Sequence, residues 1–185
     1  AAVFIPFAVA AKAEIASFDD ISSGSGYVTL NTYNGFSWSN FYATDQSIYG
    51  ANNPYGRGAT SGSMYVFGSG NKTSTIERTG GGLFDVKSAS FSSVFDEGLK
   101  LKVTGWLDGV AVHSQTIVLS TKQNMLAQLN FFGINKLTFT TTNSGRPLGR
   151  QFTMDDIDYE PNSSVPEPST YVMVLIGLGC CIALF

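Results

Sequence analysis

Between residues 14 and 160 the chain breaks into eleven short segments in which apolar and polar residues alternate, each bounded by Gly, Asn or Ser. The segments are 15–21, 27–33, 36–43, 63–67, 74–78, 84–95, 99–107, 110–119, 127–132, 137–142 and 152–159. Alternation of period two sends successive side chains to opposite faces of a strand, so each segment has one face for a core and one for solvent. That many strands at this spacing imply a sandwich or a barrel. Composition agrees, since 20 Gly, 14 Phe and 8 Tyr supply turns and aromatic strand residues rather than the usual material of helices. The expected class is all-β, in one domain. With 11 basic against 14 acidic side chains, a net charge of -3 and a pI near 5.0, neither a disordered chain nor a nucleic-acid partner is expected.

The sharpest local expectation is a hairpin at Asp108-Gly109, because this pair between two apolar runs suits the left-handed angles of a type I′ turn. Counting outward pairs Leu107 with Val110, Gly105 with Val112, Val103 with Ser114 and Leu101 with Thr116. Leu99, Leu101, Val103 and Leu107 then line the core face. The other face carries Trp106 with Ala111, Thr104 with His113, Lys102 with Gln115 and Lys100 with Ile117. An indole among lysines is out of place there unless it has work to do.

The two ends read as addresses rather than fold. Residues 1–13, AAVFIPFAVAAKA, combine an apolar run with a small-x-small pattern that a signal peptidase could cut before Glu14. With neither a starting Met nor a basic n-region, the stretch is expected to be the remnant of a signal peptide. Residues 161–170, PNSSVPEPST, form a Pro/Ser-rich linker without periodicity. Residues 171–185, YVMVLIGLGCCIALF, carry no charge and have no polar face for water. As a helix they would reach about 22 Å, short of a hydrocarbon core of about 30 Å, and are expected to be a truncated membrane-spanning segment. Cys180 and Cys181 are neighbours within it, so residues 14–160 are expected to hold no disulfide.

Val165, Pro166, Glu167, Pro168 and Ser169, followed at once by this apolar stretch, resemble the PEP-CTERM sorting signal of exopolysaccharide-producing Gram-negative bacteria. The resemblance implies export through the inner membrane, handling by exosortase, membrane contact through the C-terminal helix, and delivery to the cell surface, outer membrane or extracellular matrix. The Arg-rich tail of such signals does not follow Phe185, so charge cannot set the orientation here. Residues 18–20, 35–41, 103–109 and 152–157 further resemble the jelly-roll domains common among PEP-CTERM proteins, which look like carbohydrate-binding β-sandwiches. That resemblance implies two antiparallel sheets with the first and last strands adjacent, and brings no catalytic residues.

The residues limit the chemistry. A Ser or Cys nucleophile needs a nearby base, and the only histidine, His113, falls in mid-strand while both cysteines lie in the tail. One His without a usable Cys leaves zinc short of ligands. No spacing singles out the pair of carboxylates that glycoside hydrolysis uses. Asp19, Asp20, Asp155, Asp156 and Asp158 fall in the first and last segments, where adjacent strands would gather hard oxygen ligands for a structural Ca²⁺; solvated strand ends and turn acceptors are the plainer reading. For glycan binding, Trp106 with His113 and Lys102 forms one candidate platform, and Tyr49 and Tyr55 near the long loop, with Trp38 and Tyr42, a second. Phe36, Trp38 and Tyr42 are expected to share one face and fill the core. The expected function is that of a secreted, surface-sorted, non-enzymatic structural or adhesive protein, with exopolysaccharide as partner. A secreted carbohydrate-active enzyme on the same scaffold is the alternative.

Overall fold

A computed structural model describes residues 13–50, 52–68, 70, 72–142 and 150–161. Apart from Ala13 and Pro161, the expected signal remnant, the linker, the PEP motif and the apolar tail lie outside the described residues. The alternating segments become antiparallel strands: β1 (Glu14–Ala16), β2 (Tyr27–Tyr33), β3 (Phe36–Asp45), β4 (Met64–Gly68), β5 (Ser74–Arg78) and β6 (Phe84–Ser93). There follow β7 (Lys100–Leu107), β8 (Val110–Val118), β9 (Met125–Ile134), β10 (Lys136–Thr142) and β11 (Phe152–Pro161). One 3-10 turn, Gln46–Ile48, opens the long loop after β3. Among the described residues, no helix is long and apolar enough to cross a membrane.

The strands form a single path, β8-β7-β10-β5-β3-β4-β11-β6-β9, with β2 on the free flank of β3 and β1 on β11. The path doubles over at β3. Its first half, through Ser39, pairs with β5, and its second half, from Phe41, pairs with β4. Asn40 between them is left-handed, φ 59°, an angle that Asn tolerates better than most residues. Its amide donates to Thr73 O at 2.8 Å, and its carbonyl accepts from Ser74 Oγ at 3.0 Å. The expected two sheets are thus two halves of one, hinged on a single residue.

The fold-over brings the inner faces together. Phe139 of β10 lies against Phe41, Phe91 and Phe152, with ring centroids 5.5, 6.2 and 5.7 Å away, and all four are buried. Each such ring contributes roughly 2–3 kcal/mol by leaving water. Trp38 and Phe41 are both buried although three positions apart, because the left-handed Asn40 resets the alternation. The same reset turns Tyr42 outward, so the expectation that Tyr42 shares the core face of Phe36 and Trp38 is corrected.

The Asp108-Gly109 turn forms as expected, with φ of 50° and 81°. The register holds at Leu107↔Val110 and Trp106↔Ala111, then slips: Gly105 faces His113, Val103 faces Gln115 and Leu101 faces Ile117. Val112 is the extra residue of a β-bulge. The slip carries Ile117 from the solvent face to the core, where it is buried, and takes His113 off the face of Trp106. Leu99, Leu101 and Val103 are fully buried as expected, and Leu107 half so.

The edges β8 and β9 meet across a seam. His113 stacks on Phe131, centroids 5.1 Å apart at 12°, with its Nε2 3.1 Å from Phe132 O. A Cβ on Gly105 would come within 2.9 Å of Ile134 and 3.1 Å of Phe131, so β7 passes tight under β9 there. The first and last strands are adjacent, with Glu14↔Tyr159 and Ala16↔Ile157.

Candidate functional site

Two clefts open on the outer faces of the two half-sheets, back to back across the core. The first, about 430 Å³, lies over β3 and β4. Its floor follows from register: Tyr42 pairs with Phe67, and the rings stack at 5.3 Å. Tyr27, exposed at 62%, meets both edge-on at 5.4 and 5.9 Å. The long loop supplies the wall, with Tyr55 edge-on to Phe67 at 5.4 Å and Tyr49 against Tyr55 at 5.5 Å. Asn53 and Gln151 complete the lining with amides. Gln151 Oε1 accepts from the Tyr55 hydroxyl, and Asn53 Oδ1 accepts from the Tyr55 N–H at 3.0 Å.

The wall is tied down by aspartates. Asp155, fully buried, accepts with Oδ2 from the N–H groups of Thr60 and Ser61 at 2.6 and 3.1 Å, and with Oδ1 from that of Asp156 at 2.8 Å. Asp156 Oδ1 takes the Ser61 hydroxyl at 2.6 Å. Asp19 Oδ1 accepts from the N–H groups of Ser63 and Met64 at 3.0 and 3.2 Å. Gly58 sits on the ring of Tyr65, where a Cβ would come within 2.3 Å, and the Tyr65 hydroxyl donates to Tyr55 O at 2.6 Å. Burial holds the Asp155 carboxyl up at about 6 against the opposing pull of its three amide donors.

These bonds engage carboxylate oxygens expected around calcium, while Asp158 Oδ1, of the same expected set, is buried without a partner. Asp20 takes the Tyr33 hydroxyl, at 2.6 Å, while the oxygens of Asp19, Asp155 and Asp156 anchor backbone and hydroxyl donors. Among the described residues no three His, Cys, Asp or Glu side chains gather as a metal site.

The second cleft, about 570 Å³, surrounds Trp106 on the outer face of β5, β10 and β7. Glu77, Lys136 and Trp106 lie side by side in register, and Lys136 Nζ is 2.9 Å from Glu77 Oε1. The half-buried indole donates from Nε1 to Thr138 Oγ1 at 2.9 Å. Arg78, Asn135 and the glycines 81, 82 and 109 form the rim. Of the residues expected around Trp106, neither lines this cleft. Lys102 is exposed on the same face, two rows away opposite Thr140, and His113 belongs to the seam on the other face because of the Val112 bulge. Lys136, Glu77 and Arg78 take their place. Only cross-strand pairing reveals them, since none is near Trp106 in sequence. Tyr49 and Tyr55 do come together, and the partners missed for them, Tyr27, Phe67 and Gln151, arrive from three different strands or their ends.

Comparison with known proteins finds a protein-sorting motif in the C-terminal part of the sequence. The PEP-CTERM protein-sorting motif matches residues 164–185, over the stretch where Val165 to Ser169 lead into the apolar tail. The chain thus carries the signature of secreted, sorted proteins of the cell envelope. No curated protein matches it. Among solved structures, TmCBM61 in complex with β-1,4-galactotriose is similar at 12% identity, over 71% of this chain and 92% of that one, with a TM-score of 0.39. The C-terminal family 22 carbohydrate binding module of Clostridium thermocellum Xyn10B aligns at 10% identity, over 82% and 95%, with a TM-score of 0.41. The CBM22-1–GH10 modules of the N-terminal endo-1,4-β-D-xylanase 10B from Clostridium thermocellum, complexed with xylohexaose, align at 16% identity, over 84% and 29%, with a TM-score of 0.39.

Proposed function

We propose that this protein is a non-catalytic glycan-binding component of the bacterial envelope, delivered by exosortase and holding exopolysaccharide through the tyrosine cleft. One observation carries the reading. Four tyrosines, from β2, β3 and two points of the long loop, converge with two amides around one open cleft. Sugar rings offer apolar C–H faces to flat aromatics and hydroxyls to amides, so this lining suits a neutral saccharide. The described residues lining it include no carboxylate, histidine, serine or cysteine, and those of the Trp106 cleft include one carboxylate, Glu77. Glycoside hydrolysis uses two. In this reading, residues 171–185 hold the protein in the inner membrane until exosortase acts near the PEP motif, and its work at the surface is adhesive or structural.

The test is calorimetric binding to neutral oligosaccharides and to the organism's own exopolysaccharide. Wild type should bind without releasing product. Tyr27→Ala, which removes a largely exposed ring, should weaken binding at least tenfold with little change in melting temperature. Binding untouched by Tyr27→Ala and by Tyr55→Ala would remove the cleft from the account, and released oligosaccharide would make the protein an enzyme.

A further inference from the structure

We propose that the protein is a cross-linker, which holds one polysaccharide strand in the tyrosine cleft and a second strand against Trp106 on the opposite face. The proposal rests on the tyrosine-cleft reading and adds to it a second, weaker site for neutral sugar. The two clefts share no lining residue. Between them lies the core, with Phe41, Phe91, Phe139 and Phe152 buried, so one domain can hold two strands that never meet.

The indole stands outside that core. Leu101 and Val103, on the other face of β7, are buried, and so is the chain's other tryptophan, Trp38. Trp106 donates its N–H to Thr138 Oγ1 at 2.9 Å and leaves its half-buried ring at the cleft. A ring whose one polar atom is used within the sheet presents an apolar platform, which suits the C–H face of a pyranose. Gly81, Gly82 and Gly109 have φ of 82°, 99° and 81°, angles at which any side chain is strained, so this border of the platform stays clear of Cβ atoms.

Charge argues for a neutral occupant, because the ionic groups around the cleft are balanced and already engaged inside the protein. Lys136 Nζ is 2.9 Å from Glu77 Oε1, Arg78 donates from Nη1 to Leu83 O at 3.3 Å, and Asp108 Oδ1 accepts from Asn135 Nδ2 at 2.8 Å. Two cations thus stand with two carboxylates, which leaves no net charge to select an ion, while ammonium and carboxylate still suit sugar hydroxyls. The Asp108–Asn135 pair also sets the shape. The Asp108 N–H donates to Asn135 Oδ1 at 3.3 Å and the Asn135 N–H to Trp106 O at 2.9 Å, so the hairpin tip is tied to the junction of β9 and β10 before any ligand arrives. One ring holds a strand more weakly than four do, but weak links suffice on a polymer, whose repeats engage many copies of the protein at once.

The experiment uses the full chain in mild detergent, titrated calorimetrically with short neutral oligomers of galactose, glucose, mannose and xylose, and mixed with the matching soluble polysaccharides in a viscometer. With at least one of the four, wild type should bind in two steps and thicken the polymer. Tyr27→Ala should weaken the tighter step at least tenfold and spare the weaker, Trp106→Ala should do the reverse, and thickening should fall at least tenfold in either variant and in an equal mixture of the two. In Tyr27→Ala, added oligomer should still shift tryptophan emission, which reads the second site through Trp106 without altering it. Thickening of none of the four polymers, thickening by either variant that matches wild type, or unchanged emission in Tyr27→Ala would each overturn the proposal. A single step lost in Tyr27→Ala and kept in Trp106→Ala removes the second strand alone. A single step lost in Trp106→Ala and kept in Tyr27→Ala removes the tyrosine-cleft reading, and the cross-link with it.

Discussion

Asp155 sets two large effects against each other, and its titration decides between them. The carboxyl is fully buried, which disfavours its charge, yet three backbone N–H groups point at it, which favours the charge. Burial prevails in the structure and raises the carboxyl from 3.8 to about 6. The folded state therefore binds this proton more tightly than the unfolded chain. The stability this provides is fully present below about pH 3.8 and is lost as pH rises through about 6. Two pH units and a little more correspond to about 3 kcal/mol. Other carboxylates pull the opposite way, among them Glu97, lowered by donors from Thr121, so the measurement must be a difference. Urea unfolding of wild type and Asp155→Asn between pH 4 and 7.5 supplies it. The variant carries a constant penalty, because its NH₂ must oppose an amide donor, but has no proton to bind at this site. Wild type should lose roughly 2–2.5 kcal/mol relative to the variant across that range, the remainder having gone below pH 4. A flat difference, or wild type gaining on the variant as pH rises, would refute the reasoning. The three amides would then outweigh burial, and the carboxyl would titrate at or below its ordinary range.

Three further outcomes follow from the same geometry. Gly58→Ala drives a Cβ into the ring of Tyr65, so it should cost about 1–3 kcal/mol in thermal unfolding and abolish sugar binding in the tyrosine cleft by displacing the wall that carries Tyr49 and Tyr55. Asn40→Ala should cost about 2 kcal/mol, from left-handed strain and the lost bond to Thr73, whereas Asn40→Gly, which is free of the strain, should cost clearly less. EDTA should leave the melting temperature unchanged, because Asp19, Asp20, Asp155 and Asp156 already accept from amide and hydroxyl donors; a fall in melting temperature would reinstate a bound ion.

All eleven strands were legible because alternation and turn residues are local signals. Strands 27–33 and 74–78 match residue for residue, and most others differ by a residue or two at their ends. What was not legible depends on backbone breaks that shift parity. Val112, an ordinary apolar strand residue, bulges because that alone puts Ile117 into the core, and nothing within the hairpin announces it. Asn40 reverses the alternation in mid-strand, which is why Tyr42 faces a cleft instead of the core. The segment 15–21 shortens to β1 because Phe18 turns left-handed, φ 63°, to bury its ring against Trp38 and Tyr33. The candidate sites were half legible for a related reason. Trp106, Tyr49 and Tyr55 stand out as aromatics in polar or loop surroundings, but the side chains that complete their clefts come from strands distant in sequence and adjacent only in the folded sheet.

Because β11 ends at Pro161 and the sorting motif begins three residues later, any pull exerted through the C-terminal segment would enter the domain along this one strand. Gln151, just before its other end about 33 Å away, lines the tyrosine cleft. In the proposed reading, tension between a held polymer and the cell would run the length of β11, which β6 grips on one flank and β4 and then β1 on the other. Its ladder bonds lie across the direction of pull, so they share the load in shear instead of parting one by one.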